Sequence, residues 1–265
     1  KPAGGAAAIG TKKITSRAEA LAVLAEVRSM ARPEVDDIFK FPQNRNLSLG
    51  EYFDGPEWDA DIVMRDGRPL FVSLTDNWPT REPYFLATGS TLPSRRLNAK
   101  QQAEVEELVI KAAKALGLNN GVIHLEGKYT SKGARLIEAN GRMGGEYVHD
   151  WVEAVWGVSL VEEGLLAAAG VKGRPFKAPR PLVYLEGGFV IPENSGVIEA
   201  FGLPADAREL PGFHELRVKK QIGDRIAVPP AGYERAGMLV ARGATADEAK
   251  RNLDRLNAAL LLQVK

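Results

Sequence analysis

The sequence predicts an α+β chain in which antiparallel hairpins alternate with amphipathic helices. Three observations carry this. Asp66-Gly67, a strong hairpin turn, sits between the apolar runs Ile62-Val63-Met64 and Leu70-Phe71-Val72. Four capping-box pairs, Ser16/Glu19, Asn98/Gln101, Ser159/Glu162 and Thr245/Glu248, each precede residues spaced for one helix face. The 265 residues, 45% hydrophobic, suffice for two or three compact units.

Taken in order, residues 1–15 open with the small-residue run Ala3-Gly4-Gly5-Ala6-Ala7-Ala8-Ile9-Gly10 and lead into an expected strand at Lys12-Lys13-Ile14. A helix carrying Leu21, Leu24, Val27 and Ala31 follows and ends by Pro33. From Leu47 the pattern turns to strands, the first broken at Asp54-Gly55-Pro56. The helix opened by Asn98 presents Val105, Leu108, Val109, Ala112 and Leu116 and stops at Gly117. Gly121 to Lys128 and Arg135 to Asn140 read as strands around a turn at Ser131-Lys132-Gly133, and two helices follow, the second closed by Gly170. The Gly- and Pro-bearing stretch 170–181 reads as a connector. Beyond it come short strands, the turn Ile222-Gly223-Asp224-Arg225 and a last helix with Ala249, Leu253, Leu256 and Leu260 inward. The expected units are 1–46, 47–180 and a small α+β domain, 181–265.

Composition narrows the function. The net charge of +1 offers no bulk field for nucleic acid or a membrane surface, so small-molecule partners are expected. The absence of cysteine excludes disulfides, thiolate metal sites and a cysteine nucleophile, and fits the cytoplasm. No apolar run approaches the roughly 20 residues of a membrane helix. The chain opens at Lys1 rather than methionine and is expected to be a piece of a longer protein.

The chemistry concentrates in one hairpin. Side chains alternate along a strand, so His124 and Glu126 share a face, as do Glu138 and Asn140. Pairing about the turn near Lys132 sets Glu126 opposite Glu138 and His124 opposite Asn140. Like charges directly opposite are destabilising unless a cation, a proton or solvent intervenes. Two carboxylates and an amide oxygen, beside Arg142 and Gly144-Gly145, suit a hard divalent cation such as magnesium. A solvated, charged sheet face accounts for any one glutamate by itself. His124 can orient a ligand or a glutamate, or be structural. Lys1 with Gly4 and Gly5 can bring an ammonium and backbone N–H groups to a polyphosphate, although a plain flexible loop has the same composition. Glu51-Tyr52-Phe53-Asp54-Gly55-Pro56-Glu57 can offer an apolar edge to adenine and a carboxylate to ribose, or form an ordinary strand end. Asp76, Asn77 and Arg81 can line an amino-acid pocket, or a locally bonded turn.

Lys1 and its loop, Glu51 to Glu57, the Glu126 strand and Ile137-Glu138-Ala139-Asn140-Gly141-Arg142-Met143-Gly144-Gly145 together resemble, in order and spacing, the ATP-grasp superfamily. Within it the chain is most similar to carnosine synthase-like amino-acid (dipeptide) ligases, also through Ser73-Leu74-Thr75-Asp76-Asn77-Trp78-Pro79-Thr80-Arg81. The resemblance implies a small lid subdomain and a larger antiparallel-sheet subdomain. It implies that Lys1 contacts ATP phosphates, that Glu51 to Phe53 pair with adenine and Glu57 with ribose, and that Glu126, Glu138 and Asn140 ligate magnesium, with manganese as alternative. Arg142 would hold the transferred phosphate, with substrate close to Gly144 and Gly145. Gly50 and Gly141 depart from the family's pattern, where an acid and a proline are frequent. The implied activity is a carboxylate–amine ligase working through an acyl-phosphate on a carboxylic or amino acid and an amine, with a homodimer as candidate assembly. Gly188, Phe189, Pro192, Gly196 and Gly232-Tyr233 resemble the biotin carboxylase branch, so a carboxylase or transformylase is the alternative reading. A non-catalytic ATP-binding module is the other.

Overall fold

The computed structural model describes residues 1–30 and 46–265. The elements run α1 (Arg17–Met30), β1 (Glu57–Arg65), β2 (Arg68–Asn77), β3 (Gly89–Leu92), α2 (Ala99–Ala115), β4 (Gly121–Thr130), β5 (Gly133–Asn140), α3 (Val148–Trp156) and α4 (Leu160–Ala168). They continue as β6 (Tyr184–Val190), β7 (Gly196–Gly202), β8 (Phe213–Val218), β9 (Arg225–Ile226), β10 (Gly237–Gly243), α5 (Ala246–Ala259) and β11 (Leu261–Val264). One eight-stranded sheet has the order β5-β4-β1-β2-β3-β6-β10-β8, and a second joins β11, β7 and β9. Residues 171–183 are irregular, and strands from both sides of them lie in the large sheet.

Local chemistry explains most of the elements. Asp66 and Gly67 both take positive φ, 49° and 72°, which lets β1 turn directly into β2. Asn98 and Gln101 close a complete capping box on α2. Ser159 and Thr245 accept from the backbone N–H groups of Glu162 and Glu248 at the starts of α4 and α5.

The period of two along the strands assigns the two faces of the sheet. On one, Trp58, Ala60, Ile62, Ile123 and Leu125 pack with Val105 and Val109 of α2, and Leu239 and Ala241 pack with Leu253 and Leu256 of α5. On the other, Val63, Phe71, Val122, Met238 and Val240 meet Trp151, Val152 and Val155 of α3 and Leu160 at the start of α4. This second face carries the candidate site.

Two expected strands do not form. Leu47 makes only an isolated bridge with Pro2, and 48–55 is irregular. Lys12 to Ile14 is also irregular. A strand needs a neighbour for its backbone groups, and neither segment gains one along its length. The opening segment is held instead by Ala3 N donating to the Asn46 carbonyl (2.8 Å) and Ser48 N to that of Lys1 (2.8 Å). Buried Ile9 packs with Leu86, Ile191, Val228 and Tyr233. The expected end of the first helix, at Ala31 to Pro33, lies outside the described residues.

Candidate active site

The β4–β5 hairpin has the register its sequence implies, with Glu126 opposite Glu138 and His124 opposite Asn140. A bulge after Glu126 separates this pair from the rest of the ladder. No hydrogen bond or ion pair engages the Glu138 carboxylate among the described residues. The Asn140 side-chain nitrogen is buried without a partner. An orphaned amide beside two facing carboxylates fits a magnesium ion, which takes few protein oxygens and leaves its other positions to phosphate and water. With the amide turned over, Asn140 presents its oxygen there. Among the described residues no group of three or more His, Asp and Glu side chains is arranged to hold a metal by itself.

β1 adds acids that the sequence reading did not single out. Asp59 pairs in register with Glu126, and Asp61 with His124. Both are buried, Asp61 to 1% exposure. His124 Nδ1 lies 3.2 Å from Asp61 Oδ1, and its Nε2 lies 3.5 Å from Glu126 Oε1 and 3.9 Å from Asp59 Oδ2. Burial opposes a charge on His124, but the bonds to Asp61 and Glu126 and the nearby carboxylates push its pKa up to about 11. Both ring nitrogens of His124 thus face carboxylates, Nδ1 toward Asp61 and Nε2 toward Glu126. Burial likewise raises Glu126, yet its bond and charge interaction with His124, helped by Arg142 and Lys1, leave it below the ordinary carboxylate value. Burial pushes Asp59 well up, with His124 countering and Glu126, Glu57 and Asp61 reinforcing.

The network continues across the sheet. Asn77 Nδ2 donates to Asp59 Oδ1 (2.7 Å), and Ser90 Oγ donates to Asn77 Oδ1 (2.9 Å). Tyr147 OH meets Ser90 Oγ at 2.6 Å. The loop after β5 is tied to the same acids, because Gly144 N donates to Asp61 Oδ1 at 2.9 Å. A Cβ on Gly144 would sit 2.9 Å from His124 Nδ1 and 2.7 Å from Val148, so glycine is required there by packing. Gly145 faces open space. Arg142 is exposed, and its guanidinium also donates to the Met143 carbonyl. A cavity of about 720 Å³ opens beside this loop, lined by Arg142, Met143, Gly145 and the apolar Val122, Val161 and Leu165.

The other expected residues spread more widely. Tyr52 is half exposed, with the Lys13 ammonium 4.0 Å from its ring centre and Phe85 alongside at 6.5 Å. Phe53 is half-buried, and Glu51 pairs with Lys132 at 3.1 Å. Glu57 lies 3.6 Å from Lys128. Burial raises its pKa, with Lys128 countering. Lys1 is near enough for its charge to act on Glu126, and Gly4 and Gly5 follow it in the anchored loop. Asp76 points away from the site. It pairs with Trp58 on the α2 face, where its oxygens accept from Ser94 Oγ (2.6 Å), Arg95 N (2.7 Å) and Arg96 N (2.9 Å). It therefore ties a turn together, the second of the two roles open to it from the sequence. Arg81 is exposed in a tight turn that its backbone closes with Leu86.

Comparison with known proteins decides the family, because the ATP-grasp domain model matches residues 1–150. The chain belongs to the ATP-grasp family. The model of L-amino acid ligase C-terminal domain 2 matches residues 188–265 of this ATP-grasp chain. Carnosine synthase 1 of Gallus gallus is 35% identical over 193 residues, 72% of this chain and 21% of the relative. That of Homo sapiens is 32% identical over 208 residues, 78% of this chain and 25% of the relative. The chain thus spans a quarter or less of these relatives. The solved L-amino acid ligase from Bacillus licheniformis superposes with a TM-score of 0.71 at 19% identity, covering 81% of this chain and 53% of that one. The biotin carboxylase domain of Hydrogenobacter thermophilus 2-oxoglutarate carboxylase, solved with MgADP and bicarbonate, superposes at 0.71 with 20% identity, covering 100% and 57%. These likenesses show the ATP-grasp fold, α+β in class. Among the described residues no helix is long and apolar enough to cross a membrane.

Proposed function

We propose that this ATP-grasp chain is the catalytic part of an ATP-dependent carboxylate–amine ligase that forms a dipeptide-like amide. The observation that carries the reading is the facing pair Glu126 and Glu138, with Asn140 beside them and the Arg142–Gly145 loop anchored to Asp61. Its similarity over 72–78% of the chain to proteins named carnosine synthase supports the reaction class.

Glu126, Glu138 and Asn140 would hold magnesium, which when bound neutralises charge on the ATP phosphates. Lys1 and Arg142 supply cations at the same place, Arg142 toward the transferred phosphoryl group. Tyr52, Phe53 and the backbone at Glu51 form the adenine edge and Glu57 the ribose contact, with Gly4 and Gly5 over the phosphates. The acid's carboxylate oxygen attacks the γ-phosphorus and ADP leaves. The amine then attacks the acyl carbon of the acyl-phosphate, and phosphate departs with the amine's proton. His124 fixes Glu126, and Asn77 reaches the site through Asp59. Gly145, on the open side of the loop, and the apolar cavity beside it receive the acid's side chain. The reading is of a cytoplasmic enzyme for two small molecules, with manganese as substitute ion and a homodimer as assembly.

The test is a screen of amino-acid pairs for magnesium-dependent phosphate release by the protein that contains this chain, with mass detection of the product. Glu138→Gln should lower ADP formation at least hundredfold, as expected when an interaction made in the transition state is lost. Its urea midpoint should not fall, because among the described residues nothing binds that carboxylate. Normal turnover in Glu138→Gln would remove the metal assignment.

A further inference from the structure

The sheet face opposite the candidate site holds a second polar cleft that the proposed reaction does not use. Its volume is about 520 Å³, and it is lined by Trp78, Pro79, Thr91, Arg95, Arg96 and Glu186 of the sheet and its turns and by Lys250, Leu253, Asp254 and Asn257 of α5. At its floor Glu186 is 1% exposed. One oxygen, Oε2, accepts from Thr91 Oγ1 at 2.7 Å, and Thr91 in turn accepts from Trp78 Nε1 at 2.9 Å. The other, Oε1, is buried without an aligned hydrogen bond, although Arg95 stands 3.1 Å away as an ion-pair partner. A buried carboxylate with an unused acceptor is costly, and a single ion pair offsets that cost only in part. The cleft rim is cationic. Arg95 shares its guanidinium with Asp247 (3.3 Å), Arg96 donates one N–H to the Asn77 carbonyl (2.9 Å), and Lys250 pairs within its own helix with Asp254 (2.9 Å).

We propose that this cleft binds a small zwitterion, a free amino acid or a dipeptide, with its ammonium on Glu186 Oε1 and its carboxylate on Arg96 and Lys250. The assignment rests on the cleft's own charges and not on the reaction proposed above. Trp78, Pro79 and Leu253 give a short aliphatic side chain an apolar wall. The cleft is also wired to the candidate active site. The Arg96 guanidinium is bonded to the backbone of Asn77, whose side chain holds Asp59. Thr91 at the cleft floor is the chain neighbour of Ser90, which belongs to the active-site network. A ligand that recruits Arg96 therefore bears on the strand ends that position the acids.

The experiment uses ¹⁵N-labelled tryptophan in the whole chain without ATP, with the Trp78 indole resonance assigned by Trp78→Phe and L-alanyl-L-alanine as probe. A saturable shift of that resonance is expected, with at least tenfold weaker binding for N-acetyl-L-alanyl-L-alanine and for the dipeptide amide. Glu186→Gln should weaken the dipeptide at least tenfold. It keeps side-chain volume and removes a buried charge, so the fold is expected to survive, which the other indole resonances report. Glu126→Gln, on the opposite face, should alter the binding by no more than about threefold, the size of a weak coupling through Asp59 and Asn77. Equal binding in Glu186→Gln, no saturable shift at Trp78, or loss of the shift in Glu126→Gln would each overturn the proposal.

Discussion

Asp61 and Asp76 lie on adjacent strands, each 1% exposed, yet the two faces of the sheet treat them in opposite ways. Asp76, on the α2 face, accepts three hydrogen bonds from the turn at residues 94–96. Asp61, on the site face, accepts from Gly144 N and pairs with His124 through the same Oδ1, and its Oδ2 is buried without a partner. Asn140 on that face is similarly incomplete. Buried polar groups are normally satisfied. One aspartate is fully bonded to a turn, whereas the other keeps a buried oxygen with no partner among the described residues.

The sharpest way to break this contrast is to remove each carboxylate. Asp61→Ala strands the His124 imidazolium among Glu126 and Asp59 and frees the Gly144 N–H. Loss of one partner of a buried pair costs about 3–5 kcal/mol. A large fall in urea midpoint is expected, together with loss of ADP formation, because the Arg142–Gly145 loop loses its anchor. A variant with wild-type stability would show that the His124–Asp61 pair is not what holds the network.

Asp76→Ala should cost less, about 2–3 kcal/mol, for three bonds to a carboxylate. Two of the stranded donors are backbone N–H groups of exposed residues that water can reach. ADP formation measured well below the lowered midpoint should stay within about twofold of wild type, about 0.4 kcal/mol of transition-state energy. A deep loss of activity in the folded variant would place Asp76 back in the substrate pocket.

The two faces also differ in how far their chemistry can be read along the chain. Glu126, Glu138, His124 and Asn140 are legible because a period of two and a turn at residues 131–133 determine a local register. The capping boxes are legible for the same reason, each being complete within four residues. Asp59 and Asp61 carry a usable signal in the alternation Glu57-Trp58-Asp59-Ala60-Asp61-Ile62, which puts all three acids on one face. Their importance appears only once β1 pairs with β4. Ser90, Tyr147 and Glu186 join their networks through contacts 57 to 95 residues apart, and only the strand order of the whole sheet brings them together. The run from Leu47 to Phe53 misleads in the opposite direction. Its apolar residues suit a strand, but Leu49 is 81% exposed, and only the residues beside Lys1 and Pro2 find backbone partners.

The smallest effect tests a histidine that, unlike His124, has gained no carboxylate network. His214 in β8 is half-buried, and burial lowers its pKa below the ordinary value, with Glu215 countering and Arg242 and Arg217 reinforcing. A base whose folded pKa is lowered binds fewer protons in the native state, so stability falls as pH drops through the unfolded value near 6.5. Above that value both states are neutral and the term vanishes. The loss in urea midpoint between pH 7.5 and pH 5.5 should therefore be smaller in His214→Gln than in wild type, by an amount worth under about 1 kcal/mol. His124 acts in the opposite direction, since it keeps its proton in the native state while the unfolded chain loses it near 6.5, so its stabilisation declines as pH rises; that contribution is common to both proteins, and their difference reports His214. A His214→Gln variant with the full acid sensitivity of the wild type would assign the loss to other groups and leave burial of β8 without an electrostatic cost.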